Sequence, residues 1–172
     1  MLKRLIHTDD DLATFVIRVT LGLVVAAHGA QKLLGWFGGH GPAETTEMFQ
    51  RAFGIPVALG WMVVLSDSLG ALALVLGIFG RLAAAGTGLV MLGAIYFVHG
   101  RWGFFMNWYT QPRGEGFEFH LLALAMVIAI LIRGSGRWSV DRVLTRRLEE
   151  RDGLAARGAG DRSVGAAPVA PV

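Results

Sequence analysis

The sequence predicts an all-α membrane protein, a four-helix transmembrane bundle with both termini cytoplasmic. Three observations predict it. First, of 172 residues 53% are hydrophobic and 17% charged, and the mean hydropathy is +0.52. A soluble domain carries about 25% charge, and one this small cannot hide so much apolar surface. Second, the charge sits at the ends, with five charged residues in residues 1–11 and thirteen in 133–172. Third, four apolar stretches, 12–30, 55–79, 82–98 and 117–132, lie near the ~20 residues that cross ~30 Å of hydrocarbon as a helix. They are too continuous for the period-2 strands of a barrel. The composition excludes disorder between the ends. It also argues against a nucleic-acid partner despite a pI of about 9.9, because the excess charge belongs to the tail.

Residues 1–11 read as a short cytoplasmic segment. Thr8 followed by Asp9, Asp10 and Asp11 reads as an N-cap with acids on the helix dipole. Those acids, Arg18 inside the run and the lack of a small-x-small site argue that the first stretch is not a cleaved signal peptide. In the loop 31–54, Gly41-Pro42 opens a short helix that ends at Gly54 and Pro56. Met48, Phe49, Ala52 and Phe53 share one face of it, so it reads as an interfacial helix. The loop 99–116 is aromatic, with Trp102, Phe104, Phe105, Trp108 and Tyr109. Together with Trp36 it reads either as an interfacial belt or as a lid over a flat ligand. Ser139 then caps a basic amphipathic helix in 133–152, with Val140, Val143, Leu144 and Leu148 on one face. Residues 153–172, rich in Ala, Gly and Pro, read as a disordered tail.

Topology follows from Lys and Arg. Lys3, Arg4, Arg81 and eight tail arginines lie on the terminal side, against Lys32, Arg51, Arg101 and Arg113 on the other. The positive-inside rule places both termini in the cytoplasm and the two long loops outside.

Ionisable groups inside a span are costly, so each needs a partner or a task. At ~1.5 Å per residue, Arg18 lies about 9 Å and Asp67 about 12 Å above the inner boundary. This predicts an intramembrane Arg18–Asp67 ion pair, serving either helix register or a relay. A second set, His28, Gln31, Lys32, His99, Glu118 and His120, gathers at the outer ends of three helices. It suits a quinone or another small polar molecule, by hydrogen bonds to carbonyls and proton exchange. Plain capping roles are the alternative. The set lacks the spacing of a metal motif. Glu118 and His120 are also about 200° apart around a regular helix, so both cannot face one site. Small-residue stripes at Gly22, Ala26 and Ala30, at Ser66 and Gly70, and at Ala84 and Gly88 suit close helix packing or a homodimer.

Cysteine is absent, and no flavin, nucleotide, haem or iron–sulfur motif is present. Redox chemistry would therefore need a bound cofactor or a partner.

Arg18-Val-Thr-Leu-Gly22, His28-Gly29-Ala-Gln31-Lys32 and Gly35-Trp36-Phe-Gly38-Gly39 resemble the DoxX family of small bacterial membrane proteins. So do Ser66-Asp67-Ser-Leu-Gly70, Val98-His99-Gly-Arg-Trp-Gly103, Gly116-Phe-Glu118-Phe-His120 and Gly136-Arg137-Trp138-Ser139-Val140-Asp141. The resemblance runs over residues 12–145. It implies a multi-pass bundle in the bacterial inner membrane, with a polar set at Arg18, His28, Gln31, Lys32, Asp67, His99 and Glu118. Asp67 stands where the family usually has Glu. The resemblance also implies a quinone-linked oxidoreductase subunit or a redox-stress component, with electrons supplied by a partner protein. The alternative is a non-catalytic scaffold or a module for a lipid-like ligand.

Overall fold

In the computed structural model, which describes residues 2–164, seven helices account for the regular structure and no strand occurs among the described residues. They are α1 (Leu2–Ile6), α2 (Leu12–Leu34), α3 (Gly41–Phe53), α4 (Val57–Leu76), α5 (Gly80–Trp102), α6 (Glu118–Arg133) and α7 (Val140–Val164). Three of them, α2, α4 and α5, are long and apolar enough to cross a membrane. The fourth expected span, α6, has 16 residues, or about 24 Å at ~1.5 Å per residue, short of ~30 Å.

Asp11, not Thr8, caps α2. Its carboxylate accepts the Thr14 backbone N–H at 2.9 Å. Thr8 is buried instead, and its hydroxyl accepts the Gly136 N–H at 2.6 Å. At the far end Gly35 takes the left-handed conformation that lets the chain leave α2. The short helix α3 forms where Gly41-Pro42 and Gly54 predict it, and it turns a threonine face inward. Thr45 and Thr46 are inside, with Thr46 against Gly60, whereas Met48 and Ala52 are exposed. The close approach of α3 to α4 at a glycine admits a small threonine, not a methionine.

Leu21 and Val25 of α2, Ala71 and Leu74 of α4, Ala84 and Met91 of α5, and Ala123, Val127 and Ile130 of α6 form one core. Their outward faces expose Leu23, Leu69, Leu89, Leu122 and Ile132. An apolar coat of this extent is what lipid covers. The small residues serve contacts inside the chain. A Cβ at Gly22 would press on Val75 and Ala71, one at Gly88 on Val127, and one at Gly29 would overlap the Asp67 backbone. These contacts set α2 antiparallel to α4 with Gly29 opposite Asp67 and Gly22 opposite Ala71 and Val75.

Helix α7 starts after Ser139, whose hydroxyl accepts the Arg142 N–H at 3.1 Å. It continues to Val164, past residue 153, where the sequence places a disordered tail. Residues 165–172 of that tail lie outside the described residues.

Candidate functional site

The predicted Arg18–Asp67 pair does not form. Gly29, which faces Asp67, lies eleven residues beyond Arg18 on α2, about 16 Å along the axis. Side-chain direction decides the partners. Helical Cα–Cβ bonds tilt toward the N-terminus, so both long cations of α2 lean toward its start. Arg18 therefore leans toward the end of the fold where α2 begins, and Lys32 leans from the other end into the apolar region. Lys32 Nζ meets Asp67 Oδ2 at 2.9 Å and donates also to the His28 carbonyl at 3.4 Å. Asp67 is 2% exposed, and its Oδ1 has no hydrogen-bond partner.

Arg18 is fully buried and uses all five of its N–H donors. Nε donates to Ser135 O at 2.7 Å, Nη1 to the carbonyls of Leu74 and Val75, and Nη2 to Arg137 O at 3.5 Å and Trp138 O at 3.2 Å. Leu74 and Val75 belong to the last turn of α4, whose carbonyls carry the negative end of the dipole. Asp141 completes the knot. Its carboxylate accepts the N–H groups of Phe79 and Gly80 at 2.9 Å each and the Ser135 hydroxyl at 2.6 Å. Gly77 is required here, since φ is +67° and a Cβ would overlap Ser139 and crowd the Arg18 guanidinium.

At the opposite end, the rings of His99 and His120 are in tilted contact, with centroids 4.3 Å apart and planes inclined at 42°. His99 Nδ1 donates to the Glu115 carbonyl at 2.9 Å, which leaves Nε2 of the neutral ring as an acceptor. His120 is 6% exposed. The Phe117 carbonyl lies close to its ring, yet no hydrogen bond meets Nδ1. His28 is near enough to act electrostatically on His120, and its Nδ1 donates to Gln31 Oε1 at 3.2 Å. Gln31 in turn donates to Phe37 O at 3.3 Å. Asp67 and Lys32 of this end thus lie on the same side of the fold as His28 and the paired rings of His120 and His99. His28, Val24 and Ala27 are exposed, so these polar groups reach the apolar coat at His28. The described residues hold no group of three His, Asp or Glu able to bind a metal.

The family model for DoxX matches residues 13–100. The chain belongs to the DoxX family. An uncharacterized membrane protein of Mycobacterium tuberculosis (strain ATCC 25618 / H37Rv) is 33% identical over 158 residues, covering 84% of this chain and 88% of the relative. No solved structure matches. The matched DoxX segment contains Arg18, His28, Gln31, Lys32, Asp67 and His99. Glu118 and His120 lie beyond it.

Glu118 does not join the histidines of this DoxX protein. It accepts the indole N–H of Trp108 at 2.9 Å and so fastens the aromatic loop. The turn between Glu118 and His120 sends one side chain to the loop and the other inward. Trp36, Phe104, Phe105 and Trp108 are exposed, and Trp102 is half-buried between Arg101, 4.9 Å from its ring, and Gly114. The loop is held by its own contacts, with Asn107 donating to the carbonyls of Gln111 and Arg113.

Asp67 and His99 each sit in a π-turn, Ser66–Gly70 in α4 and Ile95–His99 in α5. Such turns recur at functional sites because one extra residue re-aims the side chains that follow. No residue type announces them, so the sequence does not reveal them. Ser135 and Asp141 were missed for another reason. An acid in the first turn of a helix reads as a cap of its own helix, whereas Asp141 caps α5.

Proposed function

We propose that this DoxX protein is a multi-pass protein of the bacterial inner membrane with four crossing helices and cytoplasmic termini, and that it binds a quinone head group at the end of the fold where α2 finishes. The fourth crossing would be α6, extended by Phe117 and by Arg133 snorkelling to the headgroups. Its packing against α2 and α5 supports that. The distribution of Lys and Arg supports the orientation.

One observation carries the ligand reading. Polar groups of four helices lie beside an apolar coat, and two buried atoms among them, Asp67 Oδ1 and His120 Nδ1, lack partners. Buried polar atoms without partners are rare and call for a ligand or water. A quinone offers carbonyl oxygens to Lys32 or a histidine N–H, and its hydroquinone offers O–H donors to Asp67. Histidine exchanges protons near neutral pH. The exposed His28 faces the side from which a lipid-soluble molecule would enter. The chain's residues would bind, orient and move protons, and electrons would come from a partner protein. The contacts His99–Glu115 and Glu118–Trp108 favour a second reading, a scaffold whose polar groups satisfy one another.

Extraction of the protein purified in mild detergent, followed by mass spectrometry for quinones, tests the first reading. Stoichiometric quinone is expected in the wild type and its loss in His120→Phe at unchanged thermal midpoint. Wild-type protein that stays empty after incubation with excess quinone supports the scaffold.

A further inference from the structure

The end of the fold where α2 begins carries a second feature. Asp10, Arg137, Trp138, Ser139, Arg142 and Arg146 line an open cleft of about 250 Å³. Three arginines face one carboxylate there. Arg137 Nε holds Asp10 Oδ1 at 2.8 Å and Arg146 Nη2 holds Oδ2 at 3.1 Å. Two guanidinium groups on the two oxygens of one anion is the arrangement that also recognises phosphate. Arg142 adds a third cation. Its Nη1 donates to Thr8 O at 3.2 Å, and its Nε is buried without a hydrogen-bond partner.

The surroundings fix the depth. Trp138 is 69% exposed, with Phe15 edge-on at 5.0 Å. Its φ is +49°, a conformation a bulky residue adopts only when its surroundings impose it. Here the backbone is held by the Arg18 donation to its carbonyl. Val140, Val143 and Leu144 are exposed beside it. An exposed tryptophan and aliphatic side chains next to an arginine cleft at the end of membrane helices match the boundary between acyl chains and headgroups.

We propose that this cleft binds the phosphate of an anionic phospholipid, with the acyl chains on Trp138 and Val143. Asp10 occupies the place of the phosphate when the lipid is absent, and the two anions compete for Arg137 and Arg146. Electrostatic attraction of clustered arginines to anionic headgroups supplies the affinity.

The test uses the full chain in mild detergent, with thermal unfolding and native mass spectrometry against added lipid. The probes are phosphatidylglycerol, phosphatidylcholine and inorganic phosphate. Phosphatidylglycerol is expected to raise the midpoint saturably and to stay bound in the gas phase, and the other two are not. Arg146→Gln is expected to weaken phosphatidylglycerol binding about tenfold, the worth of one charge-assisted hydrogen bond. Asp10→Asn is expected to tighten it several-fold by removing the competitor. Equal responses to phosphatidylglycerol and phosphatidylcholine would overturn the proposal. A full response to inorganic phosphate would make the cleft a site for a soluble anion and overturn the lipid assignment. If both variants lower the lipid-free midpoint and neither alters the lipid dose–response, the arginines serve only as partners of Asp10 and the proposal fails.

Discussion

Arg18 shows how a single cation is accommodated in an apolar fold. Its five donors meet five backbone carbonyls, two of them at the dipole-negative end of α4, so the charge is neutralised by the fold more than by a carboxylate. Removing it takes a charged donor from those carbonyls and a buried cation from Asp141. Arg18→Met should therefore cost about 3–5 kcal/mol, seen as a large loss of protein from membranes at normal transcript level. Arg18→Lys should recover little, since an ammonium has three donors and no planar fork. Two carboxyls outside the apolar helices report on the same end of the protein. A hydrogen bond from Arg137 holds Asp10 below the usual aspartate range, and one from Thr14 does the same for Asp11. A depressed folded-state value means stability that is present above the unfolded value of about 3.9 and is lost as pH falls through the folded one. The thermal midpoint should hold from pH 7 to about 4 and decline below it. Asp10→Asn should flatten that decline in part. The effect should be small and weaker in salt, because these groups are exposed.

At the scale of elements, the sequence shows the number and place of helices better than their rotation. All four apolar stretches form helices because each is continuous and sits between glycines, prolines or polar loops. The antiparallel order of α2 and α4 follows from reading them as consecutive membrane spans. Register does not follow, because it rests on Gly29 lying against the Asp67 backbone, and only Gly22 of the expected stripe is seen to pack on α4 beside it. The π-turns add a rotation that no hydrophobic period contains. Gly29→Ala tests the register. Its methyl would enter the space of the Asp67 carbonyl, so the helices must part, at a cost of about 1–3 kcal/mol. The Lys32–Asp67 contact should loosen as well. Hydrogen exchange should then rise at Ser66–Gly70 more than in α6. Gly93→Ala serves as the control, since a Cβ there meets nothing within 4 Å.

Over the whole molecule, the two ends divide the work. The end where α2 begins is knotted by Arg18, Asp141, Ser135 and Arg81, whose Nε caps α6 by donating to Leu131 O at 2.9 Å. The other end leaves Asp67 Oδ1 and His120 Nδ1 without partners beside the apolar coat. Counting residues from the span ends sets Arg18 and Asp67 about 3 Å apart in depth, whereas Gly29 lies opposite Asp67, about 16 Å beyond Arg18 along α2. The lean of long side chains toward the start of α2 then takes Arg18 further away and brings Lys32 to Asp67. The correct pair, Lys32 with Asp67, makes a prediction about the whole bundle. Asp67→Leu leaves the ammonium of Lys32 in apolar surroundings with half its partners gone, and Lys32→Met leaves the carboxylate alone. Each single change should cost about 3–5 kcal/mol, while the double change should be nearly neutral, since an apolar replacement of a buried pair often is. Protein level in membranes and thermal midpoint would measure this cycle. Coupling near zero would mean that the pair contributes nothing to the fold. Strong coupling together with lost quinone in the stable double variant would separate the two tasks of Asp67, because the bundle would then stand without a carboxylate and only binding would miss it.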